Sequence, residues 1–465
     1  MKRSQTEINK ISKRYKKMGQ IEHCHERPDM YVGNTRPERI ETFLPDLKTF
    51  KFKSEIVHFS PAVGKIADEV LVNAFDNIQR KGSYTRRIDV SYNMDTGRIT
   101  VKNDGTTVPV VMHTEHNMYV PTMVFGHILT GENYDDKKQR LGGGRNGWGA
   151  KLTNIFSSEF TIRCVDAKNG LELTQKWENN MGLTAGPRVV KTQLKRDVTE
   201  VSFIPEWSRF KMQKMNRAYV KYITKRALEM AACSPKDVKV TLNGNDLPVN
   251  NLGDYTTLYT DKPITYLKVS KRWEVALFPT DEAVPMPSFV NGICTSRGGK
   301  HVDHAMGSVY KKLAEVATKK VKGIKVRPKD VSTFTNAIVS AFIVNPAFDS
   351  QTKETLKTPV AEFGSKCEWK PAHIKKITKS GILERVEAWA IAKAGKSLQK
   401  KIKAKSKLGI PKLYDANKAG TRPDESAKCT IILTEGDSAL TTALSGLEII
   451  GRTYYGAFPC KGKLL

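Results

Sequence analysis

Residues 141–156, LGGGRNGWGAKLTNIF, join a glycine-rich loop to an apolar helical pattern. Such a loop can bind phosphate, because backbone N–H groups and the helix dipole favour negative charge at a helix start. The stretch is not a P-loop, in which lysine directly follows the last glycine, because Ala150 separates Gly149 from Lys151. A Rossmann turn should follow a strand, whereas the preceding residues ENYDDKKQRL are polar. The stretch therefore predicts a mobile phosphate-binding loop that needs catalytic partners elsewhere in the chain.

The first candidate partners lie on a helix that the 3.6-residue period predicts over residues 60–80. Beside its apolar stripe, Glu69, Asn73 and Asp76 recur about one turn apart. The Glu69 carboxylate could deprotonate a water, and the Asn73 amide could offer the hard oxygen ligand that Mg²⁺ prefers. The alternative is an ordinary polar helix face in solvent. The apolar stripe consists of Val63, Ile66, Ala67, Val70 and Ala74.

The second candidate lies in VKNDG (residues 101–105), where a predicted strand ends in Asn-Asp-Gly. A side-chain amide or carboxylate there could recognise adenine while Gly105 lets the base approach; the alternative is an ordinary turn. In chain order, E-x-x-x-N on a helix, N-D-G after a strand and a G-x-x-G-x-G loop opening a helix resemble the Bergerat ATP fold. That fold is shared by gyrase-type topoisomerases, Hsp90 chaperones, histidine kinases and MutL proteins.

Longer segments narrow the resemblance to one family. In order along nearly all 465 residues, they resemble the successive signatures of type IIA DNA topoisomerases of the eukaryotic kind. The resemblance implies a Bergerat (GHKL) ATPase α/β sandwich, a ribosomal-S5-like transducer domain with a long C-terminal helix, and the start of a Rossmann-like α/β Toprim domain. The segments are QIEHCHERPDMYVGNT (20–35), DEVLVNAFDN (68–77), GGRNGWGAKLTNIFS (143–157), TSRGGKHVDH (295–304), NPAFDSQTKETL (345–356), GIPKLYDAN (409–417) and LTEGDSA (433–439).

The resemblance also implies roles for individual residues. Glu69 would be the general base for ATP hydrolysis, with Asn73 on magnesium and Asn103 on adenine. Gln351 and Lys353 of the QTK motif would reach the γ-phosphate from the transducer, which suits a reaction driven by positioning and by cations. The other nucleotide-binding positions are Tyr15, Asp76, Asn77, Asn133, Gly144, Arg145, Asn146, Gly147, Trp148, Gly149, Ala150 and Lys151.

Further implied roles concern the partners. Tyr15 would cross to the partner subunit's nucleotide, so that ATP would favour closure of a homodimer. Glu435, beside Asp437, would hold the Toprim Mg²⁺ at the cleaved phosphodiester. The residues that complete that metal site and attack DNA lie beyond residue 465 in the family, so this chain alone is expected not to cleave DNA. A lysine loop would touch double-stranded DNA through Lys319, Lys320 and Lys322.

Four places depart from the family pattern and concern peripheral contacts. Thr106 and Thr107 replace a basic residue and a glycine, Gly131 and Glu132 replace two small hydroxyl residues, Leu440 replaces a lysine, and Lys461 gives a bacterial-like KGK.

Charge points to a polyanionic partner. Lys and Arg number 77 against 48 Asp and Glu, a formal net charge of +29. Nucleic acid is the leading candidate, and a generally basic surface is the alternative. The segments 310–329 and 393–407 are rich in lysine and could follow a phosphate backbone. Seven separate cysteines without a C-x-x-C pair indicate reduced thiols rather than disulfides or a cysteine zinc site.

The order of predicted elements indicates an α+β chain. Strand-like alternation in RIDVSYN, GRITVKND, FTIRCVDA and TEVSFIP mixes irregularly with helical segments. No apolar run is long enough to cross a bilayer and no secretory signal is evident, so an intracellular protein is expected. The predicted divisions are an N-terminal arm (1–19) typical of flexible segments, an ATPase domain (20–246), a transducer domain (247–407), a linker (408–427) and an incomplete Toprim domain (428–465).

We therefore expect the ATPase and N-terminal gate of a type IIA DNA topoisomerase, which uses ATP and Mg²⁺ to drive passage of one duplex through a transient break in another. The rest of the Toprim domain and the cleavage core would lie in the same longer chain or in a second subunit. One alternative is a stand-alone ATP-gated DNA clamp without cleavage activity. The other is a chaperone-like or MutL-like ATPase.

Overall fold

A computed structural model of the chain describes residues 3–15, 17–80, 82–131, 139–144, 147–321, 324–403 and 410–460. The chain divides into two compact units, the first of residues 1–310 and 335–381 and the second of residues 311–334 and 382–465. Both helices and strands occur throughout, which confirms the predicted α+β class.

The α-helices of the described residues vary widely in length. They are α1 Gln5–Arg14, α2 Gln20–Glu26, α3 Pro61–Gln79, α4 Val120–Gly126, α5 Gly149–Ile155, α6 Arg217–Cys233, α7 Leu252–Thr257, α8 Lys300–Lys320, α9 Pro328–Thr333, α10 Pro371–Ile377, α11 Ile382–Lys403, α12 Pro423–Ser426 and α13 Gly436–Ile450.

The strands are mostly short. They are β1 Glu38–Pro45, β2 Phe52–Phe59, β3 Arg87–Asn93, β4 Arg98–Asp104, β5 Ser157–Asp166, β6 Leu171–Glu178, β7 Leu183–Thr184, β8 Arg188–Lys191, β9 Val198–Pro205, β10 Lys239–Leu242, β11 Asn245–Asp246, β12 Thr265–Ser270, β13 Trp273–Pro279, β14 Ser288–Val290, β15 Ile293–Thr295, β16 Thr335–Ala341, β17 Thr430–Glu435 and β18 Tyr455–Cys460.

The first unit is built on a nine-stranded sheet of order β11-β10-β3-β4-β9-β5-β6-β7, with β8 also paired to β6. Only the β10–β3 pair is parallel among these described strands. Helices α3, α5 and α6 pack together and against the sheet. The apolar stripe predicted on α3 is buried there, so α3 lies between its neighbouring helices and the sheet rather than on an open surface.

The same unit contains a five-stranded sheet of order β12-β13-β16-β14-β15. The segment SFVNGICTS forms a tight antiparallel hairpin, because Asn291 and Gly292 both adopt positive φ angles of 53° and 76°. Two positive φ values at the turn are typical of the hairpin turns that match strand twist. A two-stranded antiparallel sheet, β1–β2, completes the strands of this unit.

The second unit ends in a strand–helix–strand arrangement. Strands β17 and β18 pair in parallel, and α13 connects them. A small core joins Leu440, Leu444 and Leu447 of α13 to Tyr414 and Ala457. Strand β17, a turn at Gly436 with a positive φ of 75° and helix α13 therefore follow one another directly.

The N-terminal arm is more regular than its composition suggested. Residues 5–14 form helix α1, which has a capping box in which Ser4 and Glu7 satisfy each other's backbone N–H groups. No residue of α1 is buried, so capping and local hydrogen bonds account for this helix. All seven cysteines are free thiols and four are buried. Among the described residues, no helix combines the length and apolarity that a membrane crossing requires.

Candidate active site

Helix α3 positions the predicted catalytic carboxylate. The helix starts at Pro61, and the hydroxyl of Ser60 donates to the backbone carbonyl of Asn34 at 3.2 Å, which fixes the start of the helix. Glu69 is only 3% exposed, although it lies outside the apolar stripe. An ordinary polar helix face in solvent would leave this carboxylate hydrated, so its burial favours a functional role.

Two lysines neutralise the buried carboxylate. Lys65 lies one turn earlier on α3, and its Nζ is 2.7 Å from Oε1 of Glu69. Lys353 comes from a distant part of the chain and places its Nζ 3.6 Å from the same oxygen. The Lys65 contact is an ion pair without hydrogen-bond geometry, so both Lys65 Nζ and Glu69 Oε1 keep capacity for a further partner.

The charges around Glu69 set its protonation. Burial alone would raise the pKa of Glu69, but the ammonium groups of Lys353 and Lys65 outweigh it and lower the pKa to about 2. Burial lowers the pKa of Lys65, and the attraction of Glu69 offsets this only in part. Glu69 is therefore an ionised carboxylate with little basicity in this arrangement.

A hairpin-like loop delivers Lys353. Phe348 and Leu356 form an antiparallel bridge, and the backbone N–H of Lys357 donates to the carbonyl of Ala347 at 2.8 Å. Lys353 lies at the tip with a positive φ of 62°, a conformation that disfavours side chains with a Cβ. The tip aims a side chain that is 7% exposed at Glu69. Gln351 lies beside it and lines the same cavity.

The described part of the glycine-rich loop is held by α3. The backbone N–H groups of Gly143 and Gly144 donate to the carboxylate of Asp76 at 2.9 Å. Burial raises the pKa of Asp76 to about 6 despite these two hydrogen bonds. The amides that the sequence predicted to meet phosphate are thus satisfied by a carboxylate in this structure.

Helix α5 brings the end of the loop next to the carboxylate. A Cβ atom added at Gly149 would lie 2.5 Å from Oε2 of Glu69, so a larger residue there requires the carboxylate or the start of α5 to shift. Lys151, on the first turn of α5, is 4% exposed and donates from Nζ to the carbonyl of Thr130 at 2.6 Å. Burial lowers the pKa of Lys151 to about 8.

The residues predicted to contact adenine, Asn103 and Gly105, lie differently with respect to the cavity. Asn103, at the end of β4, is 4% exposed and faces the cavity, but its Nδ2 donates to the carbonyl of Asp104 at 3.0 Å. A Cβ at Gly105 would lie 2.2 Å from Oγ1 of Thr85, so close packing against Thr85 requires glycine there. Thr107 is buried and hydrogen-bonds to Thr199 at 2.8 Å, so this departure from the family is part of the packing.

A cavity of about 920 Å³ in the first unit brings most predicted residues together. Some predicted residues lie outside the described residues: Asn133, Arg145, Asn146 and Lys322, with Glu132 and Lys461 among the departures from the family pattern. Tyr15 is 71% exposed and does not line the cavity. The predicted residues that line it are Glu69, Asn73, Asp76, Asn77, Asn103, Gly144, Gly147, Trp148, Gly149, Ala150, Lys151, Gln351 and Lys353, with the departures Thr106 and Gly131.

The predicted residues of the second unit are exposed. Glu435 ends β17 and precedes α13, and the carboxylate of Asp437 binds Nζ of Lys412 at 2.8 Å. Leu440, which replaces a lysine of the family pattern, is 2% exposed in the α13 core. Lys319 and Lys320 are exposed at the end of α8; an ion pair at 2.9 Å joins Lys320 to Glu387.

Sequence reasoning missed two features of the site. Lys65 was not singled out, although a lysine four residues before a glutamate on a helix is a recognisable signal for pairing. The second feature is Asn345, which follows β16 of the five-stranded sheet. It exchanges hydrogen bonds at 3.0 and 3.2 Å with the backbone of Arg140, which directly precedes the glycine-rich loop. No local pattern predicts this second contact, since it joins distant segments.

Comparison with known proteins places these features in a family. Residues 217–406 match the family model described as DNA gyrase B. DNA topoisomerase 2 of Bombyx mori is 43% identical over 472 residues, which cover 98% of this chain and 30% of that protein. The chain thus spans about a third of the length of the curated relatives it matches.

Two solved structures share the fold at substantial identity. The ATPase region of Saccharomyces cerevisiae topoisomerase II is 37% identical with a TM-score of 0.76, covering 82% of this chain and 100% of that chain. The ATPase and transducer domains of DNA topoisomerase II from Balamuthia mandrillaris are 36% identical with a TM-score of 0.78, covering 82% and 99%.

Proposed function

Because this chain belongs to the type IIA DNA topoisomerase family of the eukaryotic kind and matches its ATPase region, we propose that it binds and hydrolyses ATP. In the whole enzyme it acts as the ATP-operated gate that drives passage of one DNA duplex through a transient double-strand break in another. The relatives support a topoisomerase rather than a stand-alone clamp.

The observation that carries this proposal is the meeting of Glu69 and Lys353 in one cavity. A buried carboxylate on a helix supplies the base for an attacking water, and a lysine on a separate loop supplies a cation for the terminal phosphate. Phosphoryl transfer depends on this kind of positioning and charge stabilisation. Gln351 lines the cavity beside Lys353 and assists at the same phosphate.

The lysine pair also provides a way to activate the base. With its pKa near 2, Glu69 is a weak base at neutral pH. The γ-phosphate of ATP carries more negative charge than a carboxylate, so it draws Lys353 away from Glu69. Loss of that cation raises the pKa of Glu69, and the base gains strength only when substrate is bound.

Magnesium and adenine are assigned to the remaining cavity residues. Asn73 is exposed toward the cavity and offers one hard oxygen, which suits an ion that keeps several water ligands. Mg²⁺ would neutralise charge on the phosphates. Asn103 is proposed to contact adenine, and Asn77 and Lys151 to contact the nucleotide. The Gly143 and Gly144 amides would exchange the Asp76 carboxylate for phosphate oxygens.

The partners follow from the family and from the exposed residues. Tyr15, at the end of α1, is proposed to reach the nucleotide of a second subunit in an ATP-bound homodimer. Lys319 and Lys320 are proposed to contact double-stranded DNA, in keeping with the net charge of +29. A protein that works on genomic DNA is expected inside the cell.

We also propose that the chain divides after residues 19, 246, 407 and 427. The unit of β17, α13 and β18 is proposed to begin a Toprim domain, with Glu435 as its magnesium ligand. Ile431 and Leu433 on β17 and Ile449 on α13 are 51%, 48% and 87% exposed. These apolar side chains support further protein covering this unit.

The proposal is tested by ATP turnover and ATP binding of two variants. Glu69→Gln should lower turnover by about 100-fold or more while ATP still binds, because it removes the base but keeps the shape. Lys353→Ala should lower turnover by a similar factor, because the terminal phosphate loses a cation.

Matched controls lie on the Lys353 loop itself. Glu354→Gln and Lys357→Ala make the same chemical changes at more exposed positions and should turn over ATP at the normal rate. Normal turnover in Glu69→Gln would overturn the base assignment, and normal turnover in Lys353→Ala would remove that lysine from the phosphate.

A further inference from the structure

A small turn beside the cavity gathers metal-binding side chains. Met112 and Tyr119 form an antiparallel bridge that closes the turn. Inside it, the N–H of His113 donates to the carbonyl of Met118 at 2.8 Å, and the N–H of Asn117 donates to the carbonyl of His113 at 3.2 Å. The backbone of the turn is therefore fixed by contacts among five residues, of which only His113 also supplies a metal-binding side chain.

Three side chains of this turn converge. His113, Glu115 and His116 each offer one nitrogen or oxygen atom, and these atoms all lie within 4.8 Å of one another. Within the described part of the chain, no other group of three histidine, cysteine or carboxylate side chains meets this condition. His113 is half-buried, whereas Glu115 and His116 are exposed, so an ion can approach from solvent.

The two imidazole rings have a spacing that fits one shared ion. Their centroids are 4.7 Å apart and their planes differ by 24°. With metal–nitrogen bonds of about 2.0 Å, each ring centre lies about 3.2 Å from the ion, so two adjacent ligands have centroids about 4.5 to 5.2 Å apart. The observed centroid spacing lies in that range, and the ligand atoms, all within 4.8 Å of one another, turn toward a shared ion on binding.

One ring nitrogen of His113 makes a hydrogen bond inside the turn. The backbone N–H of Glu115 donates to Nδ1 of His113 at 3.2 Å. A metal bound at Nδ1 replaces this one long hydrogen bond with a coordinate bond.

We propose that His113, Glu115 and His116 bind one zinc-type divalent ion. Two imidazoles and a carboxylate match Zn²⁺ and its first-row neighbours, whereas Mg²⁺ and Ca²⁺ prefer sites made wholly of oxygen. The ion fastens the two arms of the turn, which continues through Tyr119 into α4. None of the three ligands lines the active-site cavity, so this site is separate from the magnesium used with ATP.

Calorimetric titration of ZnCl₂ into the untagged, reduced full chain tests the proposal, with Mg²⁺ present throughout. The wild-type chain should bind zinc at this site, and both His116→Asn and Glu115→Gln should weaken that binding at least about tenfold. His58→Asn removes an exposed histidine of β2 and should bind as the wild type does. Zinc binding that is equal in all four proteins, or absent from the wild type, would overturn the site.

A second measurement separates this site from the active site. Zinc should raise the midpoint of thermal unfolding of the wild type and of His58→Asn, but less in His116→Asn, because an ion that binds the folded state stabilises it. Equal shifts in all three would contradict the site. Magnesium-dependent ATP turnover is measured in parallel and should be the same in His116→Asn and the wild type. Loss of turnover in every protein would instead count against the proposed ATPase function.

Discussion

At the scale of residues, the site depends on the balance around one buried carboxylate. Glu69 is almost fully buried between Lys65 and Lys353, and such a charge is tolerated only because it is paired. The two lysines differ in their position. Lys65 shares a rigid helix with Glu69, whereas Lys353 lies on a loop tip. Only the second cation is therefore placed to leave when a phosphate arrives.

Replacement of Lys65 by methionine should destabilise the first unit. Lys65→Met leaves Glu69 buried with a single cation, so we expect a loss of about 3 kcal/mol in unfolding free energy at neutral pH. Glu69 has a lowered pKa in the folded chain, so its stabilising effect is present above its usual pKa and is lost as pH falls toward 2. In the variant the pKa of Glu69 is higher, so less stability is lost on acidification and that loss is complete at a higher pH.

Lys51→Met is the matched control, because Lys51 pairs with Asp261 at the same 2.7 Å but at an exposed position. Its effect should stay within about 1 kcal/mol, as for other surface ion pairs. Thermal unfolding of the three proteins between neutral and acidic pH measures both effects. Equal midpoints for Lys65→Met and Lys51→Met would show that Lys65 does not stabilise the buried charge.

At the scale of elements, three separate segments must meet to complete the cavity. Helix α3 brings Glu69, helix α5 after the glycine-rich loop brings Lys151, and the loop of residues 347–358 brings Lys353. The last of these pairs, through Leu356, with Gly299 after β15 of the five-stranded sheet, whereas α3 and α5 pack on the nine-stranded sheet. A change in the phosphates can therefore move a loop attached to another sheet, which is what a molecular switch requires.

The closeness of α3 and α5 predicts an effect of Gly149→Ala. The added Cβ would lie 2.5 Å from Oε2 of Glu69, so either the carboxylate or the start of α5 must shift. A displacement of this size at the base should lower ATP turnover by about 10- to 100-fold.

The control is Gly307→Ala, because Gly307 lies inside α8 and a Cβ there meets nothing within 4 Å. This variant should keep normal turnover and gain about 0.5 to 1 kcal/mol, since alanine favours a helix more than glycine does. Normal turnover in Gly149→Ala would mean that the contact with Glu69 is not needed for catalysis.

At the scale of the whole molecule, the excess of positive charge favours a polyanionic partner. The attraction of a net charge of +29 for a polyanion is strongest at low salt concentration and is screened as the salt concentration rises. Exposed lysines at the end of α8 provide one place where a phosphate backbone can bind. Of these, Lys320 already pairs with Glu387, whereas Lys319 is exposed at the helix end.

Binding of double-stranded DNA by this chain should weaken steeply as salt concentration rises, and DNA should stimulate ATP turnover at low salt. Lys319→Ala should reduce the slope of log affinity against log salt by about one, the effect of losing one phosphate contact. Lys320→Ala should reduce it less, because that lysine also pairs with Glu387. Lys236→Ala, an exposed lysine of the first unit, should leave the slope unchanged. A slope that no variant alters would remove the α8 lysines from the DNA interface.

The sequence by itself determined the local elements and the order of the motifs. The helix of α3 and the strands β3, β4, β5 and β9 follow from hydrophobic period and turn residues, which are local properties. The motif order was sufficient to indicate the family. The sequence also indicated Glu69, because its spacing from Asn73 fits a helix face.

The tertiary structure decided which charges meet. Local periodicity cannot reveal that Lys353 and Lys65 share one oxygen of Glu69, that Asp76 holds the Gly143 and Gly144 amides, or that Gly105 packs against Thr85. These contacts join segments that are far apart in the chain. They exist only because the sheets and helices pack at fixed distances, and burial then sets the pKa of each group.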